Sequence, residues 1–222
     1  MAAPSPALLR NIRLASVVLL FVLAVLWYFR VQVEKQQAAA GTPLPKLGHI
    51  DPFTLTGADS QPFDSAALKG KIWAAQFFFT DCGGPCPAVT QNLIQLQGML
   101  GNAQNVKIVA LSIDPENDTP EKLRAYAALH HADPARWIFL TASGLPDAEA
   151  LTHEIVMKRL LIGFQKNTEP GATAATRMIH STKVVLVDGA GSVRGYYEGL
   201  DEETPAKLLA DVAALMREEK IK

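Results

Sequence analysis

Lys71-Ile72-Trp73-Ala74-Ala75-Gln76-Phe77-Phe78-Phe79 is an almost unbroken apolar run, bounded by Gly70 on one side and by a Gly/Pro cluster on the other. A run of that length with that punctuation suits a strand covered on both faces, which places it centrally in a sheet. Pro87 to Leu100 then sets Val89, Leu93, Leu96 and Leu100 at three- and four-residue steps, an amphipathic helical pattern. Val106 to Ile113 reads as a second buried strand. Strand, helix, strand over this distance is a crossover unit. Such crossovers are right-handed and make their strands parallel, so the chain is committed to an α/β architecture.

The later pattern narrows that class. Thr119-Pro120-Glu121-Lys122-Leu123 opens a further helix, with Thr119 as the cap and Pro120 preset for the first turn. The same punctuation recurs at Thr204-Pro205-Ala206-Lys207-Leu208 before a C-terminal helix. Between them, Trp137 to Leu140 reads as a strand and Asp147 to Leu161 as a helix. Lys183 to Val187 and Ser192 to Tyr197 flank the turn Asp188-Gly189-Ala190-Gly191 as a hairpin, which accounts for those glycines better than a phosphate loop does. Parallel βαβ followed by a terminal hairpin and helix is the order of a thioredoxin-like domain, a central sheet with flanking helices.

Composition adds a second compartment. Hydrophobic residues make up 49% of the 222 positions and charged ones 19%, too apolar for an extended disordered chain. The formal charge of −1 gives no basic surplus, so nucleic acid is not an expected partner. The apolar residues are uneven, however. Leu14 to Phe29 carries no charge and lies between Arg13 and Arg30. As a helix it rises about 24 Å, short of a hydrocarbon core of about 30 Å by a margin that snorkelling Arg13 and Arg30 and the aromatic group Trp27-Tyr28-Phe29 can close. We read residues 14–30 as a single transmembrane helix rather than a cleaved signal peptide ending near Ala38-Ala39-Ala40, because the run exceeds the usual signal core of roughly 7–15 residues. Arg10 and Arg13 keep segment 1–13 in the cytoplasm, which exports the rest. Residues 31–47 read as a flexible tether, and 48–222 as one globular domain. Beyond residue 30 lie 18 of the 21 basic groups and all 22 acidic ones, a net of −4.

The chain has two cysteines, both in Thr80-Asp81-Cys82-Gly83-Gly84-Pro85-Cys86-Pro87. Three residues separate them, so the redox reading of a two-residue spacing does not transfer directly. Positions i and i+4 at a helix start can share a face, and the helix N-terminus stabilises thiolates there. Two soft thiolates suit Cu(I), usually with an imidazole as third partner. A metal site, a redox pair and a plain disulfide all fit this segment.

Here the residues resemble the Sco/SenC family of copper-binding assembly proteins, from about residue 48 to the C-terminus. An aromatic strand runs into Thr-x-Cys-x-x-x-Cys-Pro, as in Phe77-Phe78-Phe79-Thr80-Asp81-Cys82 through Pro87. Ser112-Ile113-Asp114-Pro115 with Asp118-Thr119-Pro120-Glu121 forms a second block, and His180-Ser181-Thr182 through Asp188-Gly189-Ala190-Gly191 a third. The resemblance implies a thioredoxin-like fold that binds copper, as Cu(I) and in some states Cu(II), through Cys82, Cys86 and His180. It implies a role in maturing the dinuclear copper site of cytochrome c oxidase, with the copper-receiving oxidase subunit as partner beside other copper carriers or thiol reductants. Two departures stand out: Gly83-Gly84-Pro85 where many members carry an acidic residue, and Ile179 where many carry Asp. Both remove negative charge and weaken the expected hold on Cu(II).

The remaining histidines have plainer expectations. His130 and His131 end a helix, where imidazolium suits the dipole; His153 sits on an amphipathic helix and His49 beside the tether. Met178 is expected to pack rather than ligate, and Asp114, Glu116 and Asp118 to solvate or cap a turn. No Walker, zinc-protease or serine-elbow motif occurs. The expected function is therefore a membrane-anchored copper chaperone rather than an enzyme. The alternatives are a thiol-disulfide reductase, with Cys82 and Cys86 as its redox pair, and a copper or redox sensor. The expected location is the bacterial inner membrane with the domain in the periplasm, ahead of the mitochondrial inner membrane facing the intermembrane space.

Overall fold

The apolar run forms the centre of the sheet: β4 (Ile72–Phe78) is buried at every residue. β5 (Val106–Ser112) pairs with it in parallel from Ile72↔Val106 to Phe78↔Ser112, and β9 (Lys183–Val187) pairs antiparallel on its other side, Trp73 opposite Val187. β6 (Trp137–Thr141) runs parallel to β5, and β10 (Ser192–Glu198) antiparallel to β9. The short strands β1 (Gly48–His49), β2 (Thr54–Gly57) and β3 (Pro62–Asp64) complete an eight-stranded order β1-β10-β9-β4-β5-β6-β2-β3. This is the expected thioredoxin-like order with three N-terminal strands added at the edges.

The structure is a computed structural model that describes residues 20, 22–30 and 43–221. Two units divide at Pro43. In the first, residues 20 and 22–30 are helical, with side chains largely exposed. Among the described residues no helix is long and apolar enough to cross a membrane. Residues 1–13, part of the expected 14–30 span and residues 31–42 of the expected tether lie outside the described residues. Residues 44–47 belong to the second unit. Arg194 donates to the carbonyls of Leu44 and Pro45, and Leu47 N–H donates to Val193. The same guanidinium pairs with Asp188 at 2.9 Å, both side chains buried.

Helix α1 (Cys86–Met99) covers the central strands with Val89, Leu93 and Leu96. Leu93 and Leu96 are fully enclosed with Phe78 and Phe79, each such side chain contributing roughly 1.5–3 kcal/mol of burial. Two polar residues on the buried face of α1 serve as ties. Asn92 donates to Gly199 at 2.8 Å and to Asp201 at 3.1 Å, and Thr90 donates to the Cys86 carbonyl at 2.9 Å. With its hydrogen so used, Thr90 Oγ1 accepts from Gln76 Nε2 and from the Tyr126 hydroxyl, both at 2.8 Å. This buried network joins β4, α1 and α2 (Pro120–Leu129) directly below the first turn of α1.

Thr119 caps α2 as expected, accepting from Lys122 N–H. Thr204 differs: it is the first residue of α4 (Thr204–Glu218) and its hydroxyl donates to Glu198 at 2.6 Å instead of capping. The expected helix 147–161 is two pieces. α3 (Ala148–His153) widens into a π-helical turn at Glu154–Arg159, seen in Leu160 N–H donating to Ile155. The β9–β10 turn is the expected hairpin: Asp188 accepts from Ala190 and Ser192 N–H groups, and Gly191 takes φ +82.

One element had no counterpart in the sequence pattern. β7 (Phe164–Lys166) and β8 (Met178–His180) form a separate antiparallel ribbon, Phe164 opposite His180, joined by a loop with a short 3-10 turn at Ala174–Thr176.

Candidate metal and thiol centre

The two cysteines occupy different environments four residues apart. Cys86 is the first residue of α1, one residue earlier than the helical pattern begins, and is buried. Cys82 lies in the preceding loop, half-exposed, its N–H donating to Phe79 at 3.2 Å. The loop closes tightly against the ribbon: Gly83 N–H donates to Ala175 at 3.2 Å, and a Cβ at Gly83 would lie 3.0 Å from that of Ala175. Gly84 has open space instead.

His180 arrives at the end of β8. Its Nε2 is 3.2 Å from Cys86 Sγ, and one donor atom from each of Cys82, Cys86 and His180 falls within 4.8 Å of the others. His180 Nδ1 lies 2.8 Å from the Ser181 carbonyl oxygen. A carbonyl only accepts, so Nδ1 carries the proton and Nε2 turns a lone pair toward the sulfurs, the tautomer a soft cation needs. A cleft of about 350 Å³ opens at Cys82 and His180, lined also by Phe79, Gly83, Pro85, Ala175, Met178 and Ile179. Its rim side chains carry no charge.

The sulfurs titrate apart. The Cys86 thiol beside Cys82, with the Cys86 and Gly84 N–H groups, outweighs burial and holds the Cys82 thiol well below its ordinary range. Cys86 is pushed up, by the neighbouring sulfur first and by burial second. Of the two sulfurs, Cys82 is therefore the one that ionises readily and Cys86 the one held as a thiol.

The acidic block supports this centre from behind. Asp118 is fully buried and accepts from Ser112 Oγ and Thr80 Oγ1, each at 2.6 Å, and from Thr80 N–H at 3.1 Å. It therefore fixes the residue that starts the cysteine loop. Burial raises the Asp118 carboxyl above its ordinary range despite these donors. Asp114 is buried as well and pairs with Arg177. Only Glu116 of the acidic block stays solvated, paired with Lys166 at 3.1 Å.

The other histidines stand apart from the centre. His49, His131 and His153 are exposed. His130 does not gain the expected imidazolium stabilisation: its ring packs at a tilt against Tyr126, centroids 4.4 Å apart, and burial, then His131, lowers its pKa. Met178 is buried in the core, a packing residue as expected. The sequence missed Phe79, whose ring meets His180 edge-on at 6.1 Å, and the pair Asp81–Arg177, whose partners sit in segments with no periodicity.

Residues 42–217, which hold this fold and all three donors, match the family model described as SCO1/SenC. The chain belongs to the SCO1/SenC family. It is 31% identical to the SCO1 protein homolog of Bacillus subtilis over 165 residues, 73% of this chain and 80% of the relative. It is 30% identical to a putative copper-binding protein of Stutzerimonas stutzeri over 156 residues, 69% and 71% of the two chains. Among solved structures, BsSco, described as a member of the Sco family of cytochrome c oxidase assembly proteins with a disulfide switch, superposes with TM-score 0.66 at 28% identity, covering 82% of this chain and all of its own. Cys82 and Cys86 both lie within the matched span. The ribbon that carries His180 lies within the matched span.

Proposed function

We propose that this chain carries Cu(I) on Cys82, Cys86 and His180 and hands it to the copper-receiving subunit of cytochrome c oxidase during maturation of the dinuclear copper site. The observation that carries this reading is the convergence of two sulfurs and an Nε2 lone pair within 4.8 Å, a soft donor set suited to Cu(I). Three ligands and an open cleft leave a position for an incoming thiolate, so copper passes between proteins without being released. A family relative described as copper-binding and another described as an oxidase assembly protein support the same reading. The domain works from a single-pass anchor at residues 14–30, on the periplasmic side of a bacterial inner membrane.

A second reading rests on the split between the two sulfurs. The half-exposed Cys82 thiolate is the nucleophile: it attacks an acceptor disulfide, forms a mixed disulfide and expels one acceptor thiolate, which takes up a proton. Cys86, once deprotonated, attacks Cys82 sulfur and releases the second acceptor thiolate. The acceptor gains two electrons and Cys82–Cys86 becomes a disulfide. The disulfide switch described for BsSco favours this chemistry as a companion activity.

His180→Ala separates the two in cells. Oxidase assembly lost while disulfide reduction by the purified protein persists supports copper transfer; assembly unaffected by the substitution supports thiol chemistry alone.

A further inference from the structure

Arg177 lies one residue before β8 and three before His180, and its guanidinium spans the two halves of the centre. Nη2 is 2.9 Å from Asp81 Oδ2, the residue before Cys82. Nε pairs with buried Asp114, two residues past the end of β5, and Nη1 donates to Ala174 at 3.0 Å within its own loop. Cζ stands 5.5 Å over the Phe79 ring, whose edge meets the His180 ring. One planar group therefore touches the cysteine loop, the sheet, the ribbon and the aromatic floor under the imidazole.

We propose that Arg177 is a positioning residue that holds the His180 ribbon over the cysteine loop and so sets whether the centre has three donors or two. The proposal rests on the reading of Cys82, Cys86 and His180 as a copper site. Apart from Arg177, the described polar ties from the loop before β8 to the cysteine segment come down to Gly83 N–H on Ala175. Lys122 also reaches Asp81, at 3.3 Å, but it is on α2 and does nothing for the ribbon. Lysine at 177 would not replace the fork, because a point charge serves one carboxylate and does not stack on Phe79.

Removing Arg177 alone leaves Asp114 buried without its cation, which threatens the fold itself. The informative variant is therefore Arg177→Met with Asp114→Asn, which removes the buried charge and the ties to Asp81 and Phe79 together. The full chain is assayed in two ways: Cu(I) competition against a chromophoric chelator, and hydrogen exchange of the Gly83 amide in the metal-free protein. We expect the double variant to bind Cu(I) about tenfold or more weakly, as for loss of an orienting group, with no further loss when His180→Ala is added. Gly83 should exchange at least about tenfold faster. Unchanged affinity, losses that add to those of His180→Ala, or unchanged exchange at Gly83 would each overturn the proposal. A wild type that takes up no Cu(I) fails the copper reading instead, and exchange at Gly83 then decides by itself whether Arg177 anchors the ribbon.

Discussion

His180 and Cys86 are 94 positions apart in the chain and 3.2 Å apart in space. The contact is not made by the eight-stranded sheet, whose strand β4 leads into the cysteine loop. It is made by a two-stranded ribbon whose own pairing spans only Phe164–Lys166 and Met178–His180. A centre whose third donor rides on so small an element is sensitive to the fit between ribbon and cysteine loop.

The fit is tightest at Gly83. A methyl group there meets the Ala175 side chain at 3.0 Å, whereas Gly84 faces open space. We expect Gly83→Ala to displace the ribbon and weaken Cu(I) binding several-fold, and Gly84→Ala to leave it within twofold. Chelator competition on both variants checks this, and equal effects at the two positions would contradict it.

Charge beside the centre sets preference between copper oxidation states. Ile179 is half exposed and precedes His180, so an aspartate fits there without burial cost. A carboxylate at that range, in an effective dielectric of about 20, favours the more highly charged ion by about 1–3 kcal/mol. Ile179→Asp should bind Cu(II) about tenfold more tightly or better, with a smaller gain for Cu(I), because the attraction scales with the charge of the ion. Cu(II) affinity equal in the two proteins would show that the uncharged rim has no such effect.

Asp118 gives a pH signature. Burial raises its folded carboxyl above the ordinary value of 3.8, so its contribution to stability is complete below that value and is lost as pH rises through the folded one. Wild type should therefore lose stability relative to Asp118→Asn as pH climbs through this window. Asp118→Ala, which strands the donors of Thr80 and Ser112, should cost about 2–4 kcal/mol at neutral pH. Urea unfolding across pH checks both; a parallel pH dependence for wild type and Asp118→Asn would refute the first.

Arg194 is the corresponding test at the other end of the domain. Its partner Asp188 is 2% exposed, and the same guanidinium holds the Leu44 and Pro45 carbonyls. Arg194→Met leaves Asp188 buried without its cation, a loss of about 3–5 kcal/mol. The same change should speed hydrogen exchange at Leu47, whose N–H bonds to the residue before Arg194.

The parts of the fold that were legible in the sequence are those with long apolar patterns. β4 and β5, α1 and the β9–β10 hairpin each bury enough periodic side chains to announce themselves. The α3 region was half legible: Ile155 and Val156 keep helical spacing, but the widening of the turn after His153 leaves the composition unchanged. The ribbon was not legible, because three residues per strand show no period and the loop between them is polar and glycine-containing. Cys82 and Cys86 stand out by their spacing before a helix, with metal, redox and disulfide readings open, whereas His180 is singled out only by the motif resemblance. Arg177 and Asp81 were missed because an ion pair between two irregular segments leaves no pattern in either one. The acidic block reads as solvating a turn or capping, whereas Asp114 and Asp118 are buried; the serine, threonine and arginine that satisfy them come from three different segments.

The most direct test is anaerobic titration of the reduced full chain with Cu(I), read by chelator competition and by X-ray absorption at the copper edge. We expect one equivalent to bind with two sulfur ligands and one nitrogen. Cys82→Ala should abolish stoichiometric binding, and His180→Ala should remove the nitrogen with at least about a tenfold loss of affinity. A reduced wild type that takes up no stoichiometric Cu(I), or a Cys82→Ala variant that binds it as wild type does, would contradict the copper centre.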